Sequence, residues 1–200
     1  MTQQAEVGPR EWTVGVSLGL AKQPCAICVV RRLQDGPHDV HKLWWDDTTR
    51  YSVIGRALLE IRRHRQSEIT VVVDATRVGS AAVEVLASGG LSPVVLEIDA
   101  EVRGVERDES GGYRLPRKEL ASLMDVARDA GKLLDVRRTG VMDLRDVGQM
   151  PAPGDPERHT SLAQEFLRQV DRLAGAPDIE DGYGEMAMAL AAAVWGATKL

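Results

Sequence analysis

Asp74 is the residue whose type and position first suggest chemistry. It directly follows Ile69–Val73, a run in which every residue is β-branched. Such a run is typical of a strand that is buried on both faces, and therefore of a central parallel strand. Ligands collect at the carboxyl ends of parallel strands, so a carboxylate there suits a hard divalent cation such as Mg²⁺ or Mn²⁺. The same pattern also fits a Walker-B-like acid or a helix N-cap.

Other residue types that can do chemistry favour structural roles. Cys25 and Cys28 form a C-x-x-C pair, but on an alternating strand they point to opposite faces, and the chain has only two cysteines. We therefore expect core thiols rather than a zinc or redox site. His38 and His41 are also three residues apart, so on a strand they too point to opposite faces. The basic residues 62–65 suit the C-terminal end of a helix.

The first 45 residues predict three strands. They lie over Trp12–Leu18, Pro24–Leu33 and Asp39–Trp45, where β-rich segments alternate or are apolar. The connections between them are short and rich in turn-forming residues, so we expect an antiparallel meander.

The pattern then changes to alternating helices and strands. Apolar residues recur at helical spacing over 53–61, and a short helix is predicted over Ala81–Leu86. The strand Ile69–Val73 lies between these helices, and a second buried strand, Pro93–Ile98, follows them. This alternation is typical of a parallel α/β sheet.

The second half of the chain is less regular. Pro116 begins a predicted helix, and Lys132–Val136 predicts an edge strand. The segment 140–156 shows no clear period and is expected to be a surface excursion or a mobile loop. Ser161–Gln164 has the pattern of a capping box at the start of a helix, and Met186–Thr198 predicts a small-residue helix that packs closely on the sheet.

This order of elements predicts an α/β, ribonuclease H-like fold. Its mixed five-stranded sheet has three antiparallel strands, then parallel βα units, with helices on its flanks. We expect one domain over 11–200, preceded by a polar leader over 1–10.

In that fold, carboxylates from the first strand, the end of the fourth strand and a late helix converge on two divalent ions. Two such ions supply a deprotonated water and stabilise the leaving alkoxide when a phosphodiester is hydrolysed. Asp74 stands at the end of the fourth strand, and Glu185 stands on the late helix. The first-strand position is occupied by Ser17 instead of an acid. Glu185 equally fits an ordinary exposed helix residue. Asp181 lies one helical turn before Glu185, on a similar face if the helix already begins there, and is a further candidate ligand.

Ser17 therefore decides how the site is interpreted. No His-plus-acid pair is visible to activate it, so we expect a hydrogen-bonding residue rather than a nucleophile. A neutral hydroxyl is a poor ligand for Mg²⁺ or Mn²⁺, which predicts lower metal affinity and calls two-metal catalysis into question.

Composition excludes some functions. The chain is 44% hydrophobic and 28% charged, which is normal for a folded protein. Its formal charge of −5 argues against a polybasic nucleic-acid coat but permits a local basic groove. The candidate phosphate contacts are the basic residues near the predicted site and the third helix: Arg77, Arg114, Arg117 and Lys118. Without a membrane-spanning run or a secretory segment, we expect a cytoplasmic protein with no membrane partner.

Four motifs in order resemble one family. Residues 14–30 (VGVSLGLAKQPCAICVV) resemble the first hairpin of the nuclease domain of phage large terminase subunits, which usually has a G-x-D-x-G core. Residues 71–79 (VVVDATRVG), 115–120 (LPRKEL) and 185–195 (EMAMALAAAVW) are similar to that family's second motif, helix opening and final helix. The resemblance covers nearly the whole chain, from about Thr13 to Ala197.

This resemblance implies a metal-dependent endonuclease that hydrolyses double-stranded DNA during phage genome packaging, encoded by a phage or prophage and located in the host cytoplasm. The family's motor also has an ATPase, but no G-x-x-x-x-G-K-[ST] motif occurs here. We therefore expect the nuclease part alone, with a separate packaging ATPase or a portal protein as partner. In this family the first-strand aspartate is commonly shared by both metals, which makes Ser17 a substantial departure.

Two other functions stay open. The same fold, without catalysis, would serve as a module that binds DNA or a packaging partner. A fragment of the actin-like sugar kinase and chaperone superfamily would also begin with a hydrophobic-G-x-D-x-G hairpin, but 200 residues leave little room for its duplicated second half.

Overall fold

The structure is a computed structural model of the chain. The described residues are 12–20, 23–32, 38–46, 50–65, 69–129, 133–134, 141–143, 156–175 and 184–200.

Three antiparallel strands form the first half of the sheet. They are β1 (Trp12–Ser17), β2 (Cys25–Arg32) and β3 (His38–Asp46), and β2 lies between the other two. These strands form because their apolar and β-branched residues fill both faces of the sheet. The predicted meander is confirmed.

Parallel strands continue the sheet on the other side of β1. After helix α1 (Tyr51–Arg65), β4 (Ile69–Asp74) pairs with β1, and after helix α2 (Gly79–Ser88), β5 (Val94–Ile98) pairs with β4. The register places Ser17 opposite Asp74, at the last position of both strands. The predicted change from antiparallel to parallel pairing therefore occurs at β1.

Short strands extend both edges beyond the five-stranded centre, and the edge strand predicted over Lys132–Val136 is among them, at Leu133–Leu134. They are β6 (Glu106–Arg107), β7 (Tyr113–Leu115), β8 (Leu133–Leu134) and β9 (Val141–Asp143). In the described part of the chain, the sheet has nine strands in the order β6-β7-β5-β4-β1-β2-β3-β8, and β9 also pairs with β3. The five predicted strands form its centre, and the α/β, ribonuclease H-like fold class is confirmed.

The helices cover the two faces of the sheet unequally. α1 and α2 pack on one face against branched aliphatic side chains of β1, β2 and β4. The remaining helices, α3 (Arg117–Asp129), α4 (Pro156–Gly175) and α5 (Glu185–Lys199), pack on the opposite face. We call these the α1–α2 face and the α5 face.

α5 lies very close to the sheet because small residues meet there. A Cβ placed on Gly15 of β1 would lie 2.0 Å from the carbonyl oxygen of Ala189 and 2.4 Å from the backbone nitrogen of Ala193. At the other end of the helix, a Cβ on Gly196 would lie 2.5 Å from a methyl carbon of Val72. The predicted close packing of the last helix is confirmed.

Two predictions about the second half were wrong in detail. α4 begins at Pro156, so Ser161–Gln164 lies inside the helix and is not a capping box at its start. Proline fits the first turn of a helix, since its missing N–H has no partner there, and this start replaces the later one. The segment 140–156 contains β9, which pairs with β3, so it is not wholly an irregular excursion; its other residues before Pro156 lie outside the described ones.

Other predictions have mixed outcomes. Cys25 and Cys28 are both fully buried and belong to the cores on opposite faces, as expected. The leader 1–10 lies outside the described residues, and the division into leader and domain stays a prediction. Among the described helices, none is both long and apolar enough to cross a membrane.

Candidate functional site

Asp74 ends β4 with its side chain on the α5 face. Val72 belongs to the core on that face, and residues two apart on a strand share a side. The residue is only 8% exposed although it is a carboxylate at the end of a strand. A buried carboxyl group requires hydrogen-bond donors, and these come from two neighbouring segments.

Thr76 supplies two of the hydrogen bonds to Asp74. Its backbone N–H donates to Asp74 Oδ1 over 3.1 Å, and its hydroxyl donates to the same oxygen over 2.5 Å. The Thr76 hydroxyl also accepts the backbone N–H of Ile98 over 2.8 Å. The carboxyl end of β5 is thereby tied to the orientation of the Asp74 carboxylate, and Oδ1 is occupied by protein donors.

Ser17 is the nearest residue on the adjacent strand. It is 4% exposed, stands opposite Asp74 in the parallel register, and its hydroxyl donates a hydrogen bond to the Asp74 carboxylate. This agrees with the expectation of a hydrogen-bonding residue. A neutral donor therefore lies at the position where the predicted site requires a second carboxylate.

Burial raises the pKa of Asp74 above its ordinary value of 3.8. The two Thr76 hydrogen bonds, the charge of Arg77 and the Ser17 hydroxyl each lower the pKa, but together they do not offset the loss of water. The Asp74 carboxyl group is thus harder to ionise than an exposed one, and a cation close to it would favour its charged form.

Glu185 is the first residue of α5, and the direction of that helix locates it. Ala189 contacts β1 near Gly15, whereas Gly196 contacts β1 near Thr13, so α5 runs antiparallel to β1. Its N-terminal end therefore lies towards the edge of the sheet where Ser17 and Asp74 are found. Asp181 lies outside the described residues, and α5 begins at Glu185.

The described side chains do not fit a pair of divalent ions. In the described part of the chain, no group of three or more His, Cys, Asp or Glu residues is arranged to hold a metal ion. Asp74 contributes one carboxylate, of which Oδ1 already accepts two hydrogen bonds, and Ser17 contributes no charge. Together these two residues supply at most one negative charge, which is too little to hold a pair of divalent cations.

The comparisons with known proteins are informative about the fold. No family model and no curated protein matches the sequence. The crystal structure of the large terminase nuclease of a thermophilic phage superposes with a TM-score of 0.55 at 15% identity, covering 94% of this chain and 82% of that one. A Mn-soaked terminase nuclease domain of human cytomegalovirus gives a TM-score of 0.53 at 12% identity, covering 98% and 87%. The chain has a terminase nuclease-like fold.

In this terminase nuclease-like fold, the basic residues predicted to contact DNA lie on three elements. Arg77 is exposed in the turn between β4 and α2, three residues after Asp74. Arg117 and the exposed Lys118 begin α3. Arg114 lies on β7 and forms a salt bridge with Asp99, just after the end of β5. Its charge is therefore partly neutralised within the protein.

Two residues of the site were not predicted. Thr76 had a signal, because Asp-x-Thr after a strand places a hydroxyl and an N–H within reach of the preceding carboxylate. Gln169 of α4 hydrogen-bonds the start of α5, and no sequence pattern around it indicates that contact.

Proposed function

We propose that this domain is a terminase-type endonuclease that hydrolyses double-stranded DNA weakly during phage genome packaging. The observation that carries the proposal is the pairing of a buried Asp74 with Ser17 at the carboxyl ends of β4 and β1. α5 begins towards the same edge, with Glu185 as its first residue. One acidic position of the hydrolytic centre is kept and its neighbour is replaced.

The proposed ligands of Mg²⁺ or Mn²⁺ are Asp74, Glu185 and Asp181. A divalent ion held there would lower the pKa of a bound water and stabilise the charge on the phosphodiester oxygens. Thr76 fixes the orientation of the Asp74 carboxylate through two hydrogen bonds to Oδ1. Because the described residues do not fit two ions, we assign no role to a second one.

Ser17 is the proposed cause of the weak activity. Its hydroxyl hydrogen-bonds Asp74 but adds no negative charge to attract a cation. An aspartate at the same position would place a second carboxylate beside the first, and two carboxylates attract a divalent ion more strongly than one.

The proposed partners follow from the position of the basic residues. Arg77, Arg114, Arg117 and Lys118 would contact phosphates of the DNA backbone, which supply affinity without sequence preference. The likeness of the fold to terminase nucleases supports a separate packaging ATPase or a portal protein as a further partner.

The test is nicking of supercoiled plasmid in the presence of Mn²⁺. We expect slow nicking by the unmodified protein, none by Asp74→Ala, and nicking at least about tenfold faster by Ser17→Asp, since even residues that only support metal ligands change activity by this factor. Asp46→Ala is the matched control, because Asp46 is a buried carboxylate at the end of β3. Absence of nicking by both the unmodified protein and Ser17→Asp would refute the proposal.

A second candidate function is a catalytically inactive module that binds DNA or a packaging partner. The observation that favours it is the absence, among the described residues, of three grouped metal ligands. It predicts that the unmodified protein binds plasmid without nicking it, whereas Ser17→Asp nicks. Nicking by the unmodified protein that is lost in Asp74→Ala contradicts this candidate.

A further inference from the structure

Gln169 is a buried polar side chain that the proposed hydrolysis does not use. It lies on α4 and is 8% exposed. Its Oε1 accepts the backbone N–H of Met186 over 3.2 Å and, more weakly, that of Ala187 over 3.4 Å. Its Nε2 donates to Oε1 of Glu165, one helical turn earlier, over 3.2 Å. Both ends of the amide are therefore engaged.

The start of α5 needs such a partner because its own residues supply none. The first N–H groups of a helix have no acceptor within the helix and are usually satisfied by a side chain just before it. Here the preceding residue is Gly184, which has no side chain and forms no side-chain cap. The acceptor comes instead from α4, seventeen residues earlier in the sequence.

Gly184 also leaves space for the Gln169 amide because it has no Cβ. Its φ is +83°, a left-handed conformation that favours glycine. A Cβ placed on it would lie 2.1 Å from Gln169 Cδ and 2.3 Å from Gln169 Oε1. A residue with a side chain at 184 would therefore displace the Gln169 amide. The contact thus requires glycine at 184 as well as glutamine at 169.

The contact controls a different part of α5 from the one held by the sheet. Gly15 and Gly196 mark where the middle and the end of the helix touch β1 and β4. The first turn, which begins with Glu185, is attached to α4 through Gln169. The backbone of Glu185 directly precedes the two amides that Gln169 holds.

From this arrangement we propose that Gln169 is a positioning residue, which clamps the first turn of α5 and so fixes where Glu185 stands in the site. The clamp follows from the hydrogen bonds alone, and its meaning for hydrolysis rests on the proposed function. The experiment separates the two.

The clamp is tested by amide hydrogen exchange in the full chain. In Gln169→Leu, which keeps side-chain bulk but has no acceptor, exchange at Met186 and Ala187 should be about fivefold to tenfold faster, as for loss of a helix cap. Gln164→Leu is the matched control, because Gln164 is exposed on the same helix, and exchange at α5 should not change. Amides near Gly196 report whether the whole helix has loosened.

A rescue variant distinguishes a clamp from simple packing. The double variant Glu165→Gln/Gln169→Glu reverses the side-chain hydrogen bond and keeps an acceptor for Met186 and Ala187, so exchange should return to the unmodified rate. Exchange at Met186 and Ala187 that is unchanged in Gln169→Leu would overturn the clamp. Exchange in the double variant that is as fast as in Gln169→Leu would also overturn it.

Nicking then tests the positioning role. In a Ser17→Asp background, adding Gln169→Leu should lower kcat about tenfold and leave the half-saturating plasmid concentration unchanged. Fast exchange with an unchanged kcat would overturn positioning and leave the clamp. Absence of nicking by both the unmodified protein and Ser17→Asp refutes the proposed function instead, while exchange still decides whether Gln169 is the clamp.

Discussion

The two faces of the sheet differ in how closely a helix approaches and in what they bury. On the α1–α2 face, Val14 and Val16 of β1 lie in a core with Ile54 and Leu58, all of them branched apolar residues. On the α5 face, β1 presents Gly15 and Ser17, and the helix backbone lies almost against the strand.

This difference explains where the candidate site lies. Branched side chains on the α1–α2 face hold the helices away from the strands, and β4 contributes Val71 and Val73 to that face. On the α5 face, small residues bring the helix backbone near the strands, and Asp74, Ser17 and Gln169 are buried there and hydrogen-bonded. The polar centre depends on close approach, and the apolar face supplies stability.

The largest expected effect comes from Gly15→Ala, which removes the close approach. The new Cβ would meet the backbone of Ala189 and Ala193, which cannot move without shifting the helix. We expect a loss of about 3 kcal/mol in the free energy of unfolding, the upper end for overpacked cores. Urea unfolding of this variant measures it, and a loss below about 1 kcal/mol would contradict the close-approach account.

The central strands could be predicted because their residues alone decide them. β1 to β5 have continuous or alternating apolar patterns, and the run before Asp74 placed that carboxylate at the end of a central strand. Ser17 could be placed beside it because the order of elements makes β1 and β4 neighbours.

Other features depend on contacts that no local pattern records. β6 has only two residues, too few to show a period, and it exists because β7 offers hydrogen-bond partners. The start of α4 was mistaken because Ser161–Gln164 has a capping pattern although Pro156 begins the helix earlier. The clamp by Gln169 requires α4 and α5 to pack together, which the sequence of neither helix specifies.

A smaller effect is expected from Asp74→Asn, which tests the polar centre of the α5 face. Burial raises the pKa of Asp74, so the folded protein binds this proton more tightly than the unfolded chain does. The stability that Asp74 contributes is fully present below its pKa in the unfolded chain. It is lost as pH rises towards its higher pKa in the folded protein. The neutral amide should therefore increase Tm at pH 7 by about 2–4 °C, or about 1 kcal/mol in a domain of this size, with little change near pH 4.

Asp99→Asn is the control with the opposite sign. The N–H of Glu101 and the charge of Arg114 lower the pKa of Asp99, so its contribution is present above the unfolded pKa and is lost as pH falls. Its replacement should lower Tm at pH 7. Thermal unfolding of both variants between pH 4 and pH 8 measures the two trends, and a parallel response of the two would contradict the assigned burial of Asp74.

The smallest effect is expected on the other face, from Gly55→Ala in α1. A Cβ at Gly55 would meet only the Leu86 Cδ2 atom at 3.7 Å, an ordinary van der Waals distance. Alanine in a helix interior is favoured over glycine by about 0.5–1 kcal/mol, so the variant should be more stable than the unmodified protein. Glycine-to-alanine substitution should thus lower the free energy of unfolding at Gly15 and raise it at Gly55. Space remains between α1 and α2 beside Gly55, whereas the backbone of α5 fills the space beside Gly15. Urea unfolding of the two variants side by side checks the sign, and destabilisation by Gly55→Ala would mean that both faces are equally close-packed.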